Sequence, residues 1–185
     1  MTTNGIEIIS PTSVSTSSGS ASITNDGTVT YTNADFIVLN GVFTSSFKNY
    51  MVIIHRRLDT NTGLNFNFTV SGTATTTNYQ YARFYVRSTG AYDGSYLNNT
   101  PYFDNGSASG FASNARQANL LQIYNPAETA PTRILGWFAS PYSFLVGPYG
   151  GATSAYQSAS TSFDGFRVYS AANHTGRITV YGMVD

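Results

Sequence analysis

The 185-residue chain carries 9 basic and 9 acidic residues and no formal net charge. Charged residues are 10% of the whole, where soluble domains usually carry about a quarter. A balance this neutral offers no field for nucleic acid or for an acidic membrane surface. Cysteine is absent, so disulfides and thiolate metal centres are excluded. The hydrophobic share of 41% is enough for a core, and the aromatic share of 15%, among many Ser and Thr residues, points to strands. Eight of the nine basic residues are Arg, Lys48 being the exception. Arg forms ordered, planar contacts where Lys does not, so this bias and the low charge favour extensive contact with other chains.

Residues 1–20 are polar and rich in Ser and Thr, with one apolar island, Ile6-Glu7-Ile8-Ile9, ended by Pro11. Such a stretch cannot build a core alone, and it reads either as a flexible tail or as an extended arm whose Ile6, Ile8 and Ile9 anchor the protein to a partner by strand addition. Strand patterns begin at Ala21. Ser22–Thr24 and Thr28–Tyr31 flank Asn25-Asp26-Gly27, a tight-turn sequence. Asp35–Leu39 follows, closed by Asn40-Gly41.

Three runs then stand together: Tyr50–Arg57, Leu64–Ser71 and Tyr81–Ser88. In the middle run Leu64, Phe66, Phe68 and Val70 alternate with Asn65, Asn67, Thr69 and Ser71, the period of a half-buried strand. The connections are turn chemistry, and the expectation is a meander with an aromatic inner face.

Ser88–Asn119 reads as the loop-rich part, some of it expected to form short strands or a turn of helix around Ala112–Gln117. Its Tyr92, Tyr96 and Tyr102 are the candidate ligand-binding residues. Leu120–Tyr124, Thr132–Ser140 and Tyr142–Val146 read as strands, and Gly147–Gly151 as a turn or a crowded backbone site. Phe163–Ser170 and Arg177–Val184 are the last two, parted by a turn at Ala171–Gly176. About ten strands with a turn every eight to twelve residues give an all-β, antiparallel β-sandwich, jelly-roll-like: residues 1–20 the arm, 21–185 the domain.

Catalytic chemistry is sparsely represented. Only His55 and His174 could serve a hydrolytic triad, and neither has a nucleophile elbow near it. His55 sits beside Arg56 and Arg57, and His174 is expected at a turn tip. The carboxylates are scattered singly, and Asp104-Asn105-Gly106 lacks the further oxygens of a calcium loop. No phosphate, dinucleotide or zinc motif is present, so no enzyme, cofactor or metal is expected. Among single aromatics, Trp137, Tyr142 and Tyr149 could form a sugar platform, although the interior of a sandwich is the expected place for Trp137. No secretory leader or membrane-spanning helix is read from the sequence. The three glycosylation sequons, at Asn67, Asn98 and Asn173, are read as chance.

Two segments, GVFTSSFKNYMVII leading to LNFNFTVSGTATTTNYQYARFYV, and the C-terminal GFRVYSAANHTGRITVYGMVD, together resemble small tailed-bacteriophage virion proteins. The shared residues are structural aromatics and glycines, so the resemblance brings no site residues with it. It implies a β-sandwich virion component, a capsid decoration or a tail or fibre part, whose partners are other virion proteins. It also implies a homotrimer. The alternative is a carbohydrate- or receptor-binding module that meets a host-surface glycan.

Overall fold

The computed structural model describes residues 5–58, 62–86, 90–105, 116–143 and 147–184. They form strands only: β1 (Ile6–Ile8), β2 (Ser13–Thr16), β3 (Ser20–Ile23), β4 (Val29–Asn40), β5 (Asn49–Leu58), β6 (Asn65–Val70) and β7 (Thr73–Ala74). These are followed by β8 (Tyr79–Val86), β9 (Tyr92–Thr100), β10 (Phe103–Asp104), β11 (Arg116–Tyr124), β12 (Thr132–Ser143), β13 (Gly147–Gln157) and β14 (Gly165–Met183). The fold is therefore all-β, and every pairing is antiparallel.

One 14-stranded sheet runs in the order β10-β6-β14-β5-β11-β12-β13-β8-β9, with β4 on β14 and the short strands attached to β4, β14 and β6. The long-range pairs nest, β6 with β14 outside β8 with β13 outside β11 with β12, which is jelly-roll winding. The sheet folds over until its ends meet as a sandwich. There Tyr79 stacks on Phe68, Tyr81 meets Phe103 edge-on, and Arg83 Nη1 on β8 lies 2.6 Å from Asp104 Oδ2 on β10.

Inward-facing aromatics fill the space between the layers. Phe66 stacks on Phe166 at 5.0 Å and Phe68 on Phe163 at 4.7 Å, all four fully buried. Each such side chain contributes about 1.5–3 kcal/mol by leaving water, with a further gain from ring geometry.

The structure departs from the expected meander. β5 and β6 are not neighbours, because β14 runs between them, and β8 pairs with β13 instead. The connection from β6 to β8 is long enough to cross to the opposite layer, so nothing holds these strands in a hairpin. Nor is β6 half-buried. Leu64, Phe66 and Phe68 face the core as their alternation predicts, but Val70 is exposed and Asn67 and Thr69 are buried. Asn67 Nδ2 donates to the carbonyls of Thr75 and Pro101, and its Oδ1 accepts from Arg167 Nη2. The passing chain thus covers the polar side of β6, and the Asn67 sequon is sealed.

Residues 163–184 also differ from expectation. They hold one 19-residue strand, and the expected turn is a bulge: the register jumps from Tyr169↔Phe36 to His174↔Ala34. Asn33 opposite adopts a positive φ of 55°. His174 is consequently buried, not at a tip.

The segment expected as an arm lies on the chain's own sheet. Ile6 and Ile8 pair with Met183 and Tyr181, and the Ile9 N–H donates to the Val180 carbonyl at 2.9 Å. β2 and β3 line β4, the second through the predicted turn at Gly27. Ile6 and Ile8 keep exposed side chains.

Candidate functional site

The candidate site is the outer face of the layer β11-β12-β13-β8-β9. Its composition follows from the period of two. In β12 the residues Thr132, Ile134, Gly136, Phe138 and Ser140 point inward, which turns Arg133, Leu135, Trp137 and Ala139 outward. The same alternation turns out Leu120, Gln122 and Tyr124 from β11, Ala152, Ser154 and Tyr156 from β13, and Ala82 and Phe84 from β8.

The register sets these residues in rows across the strands. One row reads Leu120, Trp137, Ala152, Phe84, Gly94, and the next Gln122, Leu135, Ser154, Ala82, Tyr96. A third reads Tyr124, Arg133, Tyr156. Trp137 is 42% exposed, Phe84 50%, Tyr96 64% and Tyr92 74%. Tyr92 lies against Phe84, rings 5.7 Å apart and 22° from parallel. In that row Ala152 lies between Trp137 and Phe84, Leu120 flanks Trp137 on its other side, and Tyr92 stacks on Phe84. One strand, β13, lies between those rings, which sets them about 10 Å apart at the usual strand spacing. The outward residues of β8, β11, β12 and β13 include no carboxylate. Toward the β11–β12 turn the face sinks into a hollow of about 790 Å³, lined by Tyr124, Asn125, Arg133, Leu135, Ser154 and Tyr156 among others.

Tyr92 and Tyr96, expected on a loop, thus stand on a strand and join this face. Tyr102 does not. It is half-buried on the far side of the molecule's seam, edge-on to Tyr169 at 5.9 Å. The loop-rich stretch holds the nine-residue strand β9 and the short β10, while the region around Ala112–Gln117, expected as short strands or a helical turn, falls mostly outside the described residues, which resume with β11. Ile6, Ile8 and Ile9 are remote in register from the site, on β14's margin. Trp137 corrects its sequence reading, which placed it in the core. Both parities of β12 hold large apolar residues, so the pattern there does not say which side faces in. Tyr149 is buried against Phe138 and Tyr85, and the side chain of Tyr142 lies outside the described residues. Phe84, Tyr124, Arg133 and Tyr156 were not singled out by the sequence, since only the strand register brings them together.

Several ionisable groups away from this face are buried in the interior. Arg56 is buried, its Nε donating to Gln117 Oε1 at 2.6 Å and its Nη atoms to the carbonyls of Gly63 and Thr62. Burial pulls its guanidinium down to about 10, against the opposing pull of Tyr31 and Asp104. His174 Nδ1 is 2.9 Å from the Tyr31 hydroxyl, and burial followed by the Arg56 charge pushes its imidazole down to about 3. Burial lifts the phenols of Tyr79, Tyr81 and Tyr169 to about 12. His55 is exposed, its Nδ1 accepting from Arg177 Nε at 3.1 Å. Neither histidine faces a nucleophile and a carboxylate together, and no cluster of metal-ligating side chains occurs among the described residues.

No family model and no curated protein sequence matches the chain. Among solved structures it is similar to the carbohydrate recognition domain of Emp47p, at 13% identity over 94% of this chain and 90% of that one, with a TM-score of 0.33. Likeness to the botulinum neurotoxin serotype G binding domain is 8% identity over all of this chain and 45% of that one, TM-score 0.25. For the catalytic domain of an endo-1,3-beta-glucanase (laminarinase) from Thermotoga petrophila RKU-1 it is 11% over 97% and 77%, TM-score 0.23. Likenesses this loose carry no argument about the site.

Proposed function

We propose that the chain is a non-catalytic binding module that takes a carbohydrate on the outer face of β11-β12-β13-β8-β9. One observation carries this reading: Trp137 and Phe84 stand exposed in a single register row with only Ala152 between them, and Tyr92 stacks on Phe84 to extend the aromatic surface. Sugar rings present flat apolar C–H faces edged by hydroxyls, and such a surface matches open aromatic rings beside polar groups. Gln122 and Ser154 supply those groups in the adjoining row. A glycosidase on this surface would need two carboxylates about 5–10 Å apart, and its outward strand residues offer none. The bacteriophage resemblance adds the setting: a module displayed on a virion, where a glycan-binding face serves host recognition.

The test is saturation-transfer NMR or a glycan array with the full chain, against Trp137→Ala and Phe84→Ala. Both side chains are about half exposed, so each variant is expected to lose on the order of 1–2 kcal/mol and to stay folded. Glycan binding by the wild type, lost in both folded variants, is the expected result. Glycan binding that survives both substitutions refutes the assignment of this face, and an array with no bound glycan refutes the function.

A further inference from the structure

We infer that the hollow at the β11–β12 end of this face is a carboxylate subsite, and that the saccharide bound there carries an acidic sugar; this rests on the glycan reading above. Arg133 is the observation. It is exposed at the middle of the row Tyr124, Arg133, Tyr156, and among the described residues no acceptor, carboxylate or aromatic ring engages its guanidinium. The outward residues of β8, β11, β12 and β13 contain no acid, so no strand neighbour on this face offers the cation a counter-charge. The partner that complements it comes from outside the chain.

The surroundings favour a planar anion that also has an apolar side. Tyr124 and Tyr156 stand one strand away on either side, about 5 Å each at the usual spacing, and wall off part of the solvent. A guanidinium in such a setting pairs a carboxylate through two parallel N–H donors, more strongly than it would in open water. The Tyr124 hydroxyl donates to Gln122 Oε1 at 3.0 Å, which ties the Gln122 side chain to a residue lining the hollow. Ser154 adds a hydroxyl on the far side of Leu135. From Arg133 to Trp137 is four residues along one strand, about 13 Å. The hollow and the aromatic row therefore form one track: carboxylate on Arg133, a ring across Leu135, and a further ring on Trp137. The volume of about 790 Å³ suits a short oligosaccharide.

The experiment is titration calorimetry of the full chain with a β-linked disaccharide containing glucuronic acid. Its neutral glucose counterpart and a short poly-glutamate peptide serve as controls, with the Arg133→Gln, Arg133→Lys and Trp137→Ala variants compared. The expected result is a preference for the acidic sugar of roughly 10- to 100-fold, the worth of a charge-assisted contact. That preference shrinks with added salt, disappears in Arg133→Gln and is partly kept in Arg133→Lys, while Trp137→Ala loses both sugars. Equal binding of both sugars by the wild type, or a preference that survives Arg133→Gln, overturns the carboxylate subsite and leaves the glycan reading standing. Binding of the peptide with neither sugar bound overturns both, assigning the hollow to a protein partner. Silence toward all three probes overturns both as well.

Discussion

His174 makes the stability of this fold depend on pH in a window where few other groups titrate. Its imidazole is fully buried in the β14 bulge, edge-on to Tyr31, and burial and the Arg56 charge hold it at about 3 against an ordinary 6.5. The unfolded chain therefore takes up a proton from pH 6.5 downward that the folded chain refuses. Stability from this residue is complete above pH 6.5 and falls with pH, by about 1.4 kcal/mol per unit once well below 6.5. Between pH 6.5 and 4.5 the loss comes to on the order of 2–3 kcal/mol. The chain has only two histidines, so a His55→Gln background leaves His174 as the sole imidazole. Urea unfolding of that variant at half-unit steps from pH 7 to 4.5, beside the double variant His55→Gln/His174→Gln, isolates the effect. The single variant must lose those kcal/mol while the double variant stays nearly flat to about pH 5. Equal slopes, or a His174 ring that titrates by NMR above pH 5 in the folded state, refute the account of a buried, neutral imidazole.

Two substitutions probe the packing. Phe68→Ala removes a fully buried ring in contact with Phe66, Phe163 and Tyr79, and the cavity is expected to cost about 3–5 kcal/mol in urea unfolding at neutral pH. Gly151→Ala would place a Cβ 2.2 Å from the Phe84 carbonyl oxygen and 2.8 Å from the Tyr85 Cα, both backbone, so β13 and β8 must part. A loss of about 1–3 kcal/mol, seen as a Tm lower by several degrees, is expected, and an unchanged Tm would show that the two strands are not held so closely.

Much of the strand content was legible because the signals were local. Thr24–Thr28 is a turn because Asp26 and Gly27 make it one whatever surrounds them, with Gly27 at a φ of 82° and Asp26 accepting from the Thr28 N–H. Leu64, Phe66 and Phe68 face inward as alternation requires. Pairing was not legible, since it is decided by partners about a hundred residues away: nothing within 41–88 says that β14 will come between β5 and β6. β13 escaped notice for a related reason. Its Gly, Ala and Ser residues carry little strand propensity, and β12 and β8 on its two sides hold it extended. The crowding suspected at Gly147–Gly151 is real at Gly151, but it marks a close-packed strand and not a turn.

The site was hidden more deeply than the fold, and the reason lies in the face itself. A site made of histidines and carboxylates announces itself by residue type, whereas this one is made of residues that a core also uses. Leu135 and Trp137 differ from Ile134 and Phe138 only in parity, and parity has meaning only once the neighbouring strands are known. Arg133 shows what the register adds. Alone in the sequence it is one of eight arginines on a chain poor in charge. Between Tyr124 and Tyr156, two residues from Leu135 and four from Trp137, it becomes the charged end of an aromatic track. The scarcity of charge, which at first excluded partners, then acquires a positive meaning. The outward residues of these four strands carry no acid but two exposed arginines, Arg116 at one end of β11 and Arg133 near the other end of the face, and only Arg133 stands within reach of both Leu135 and Trp137, where a carboxylate would meet the aromatic track.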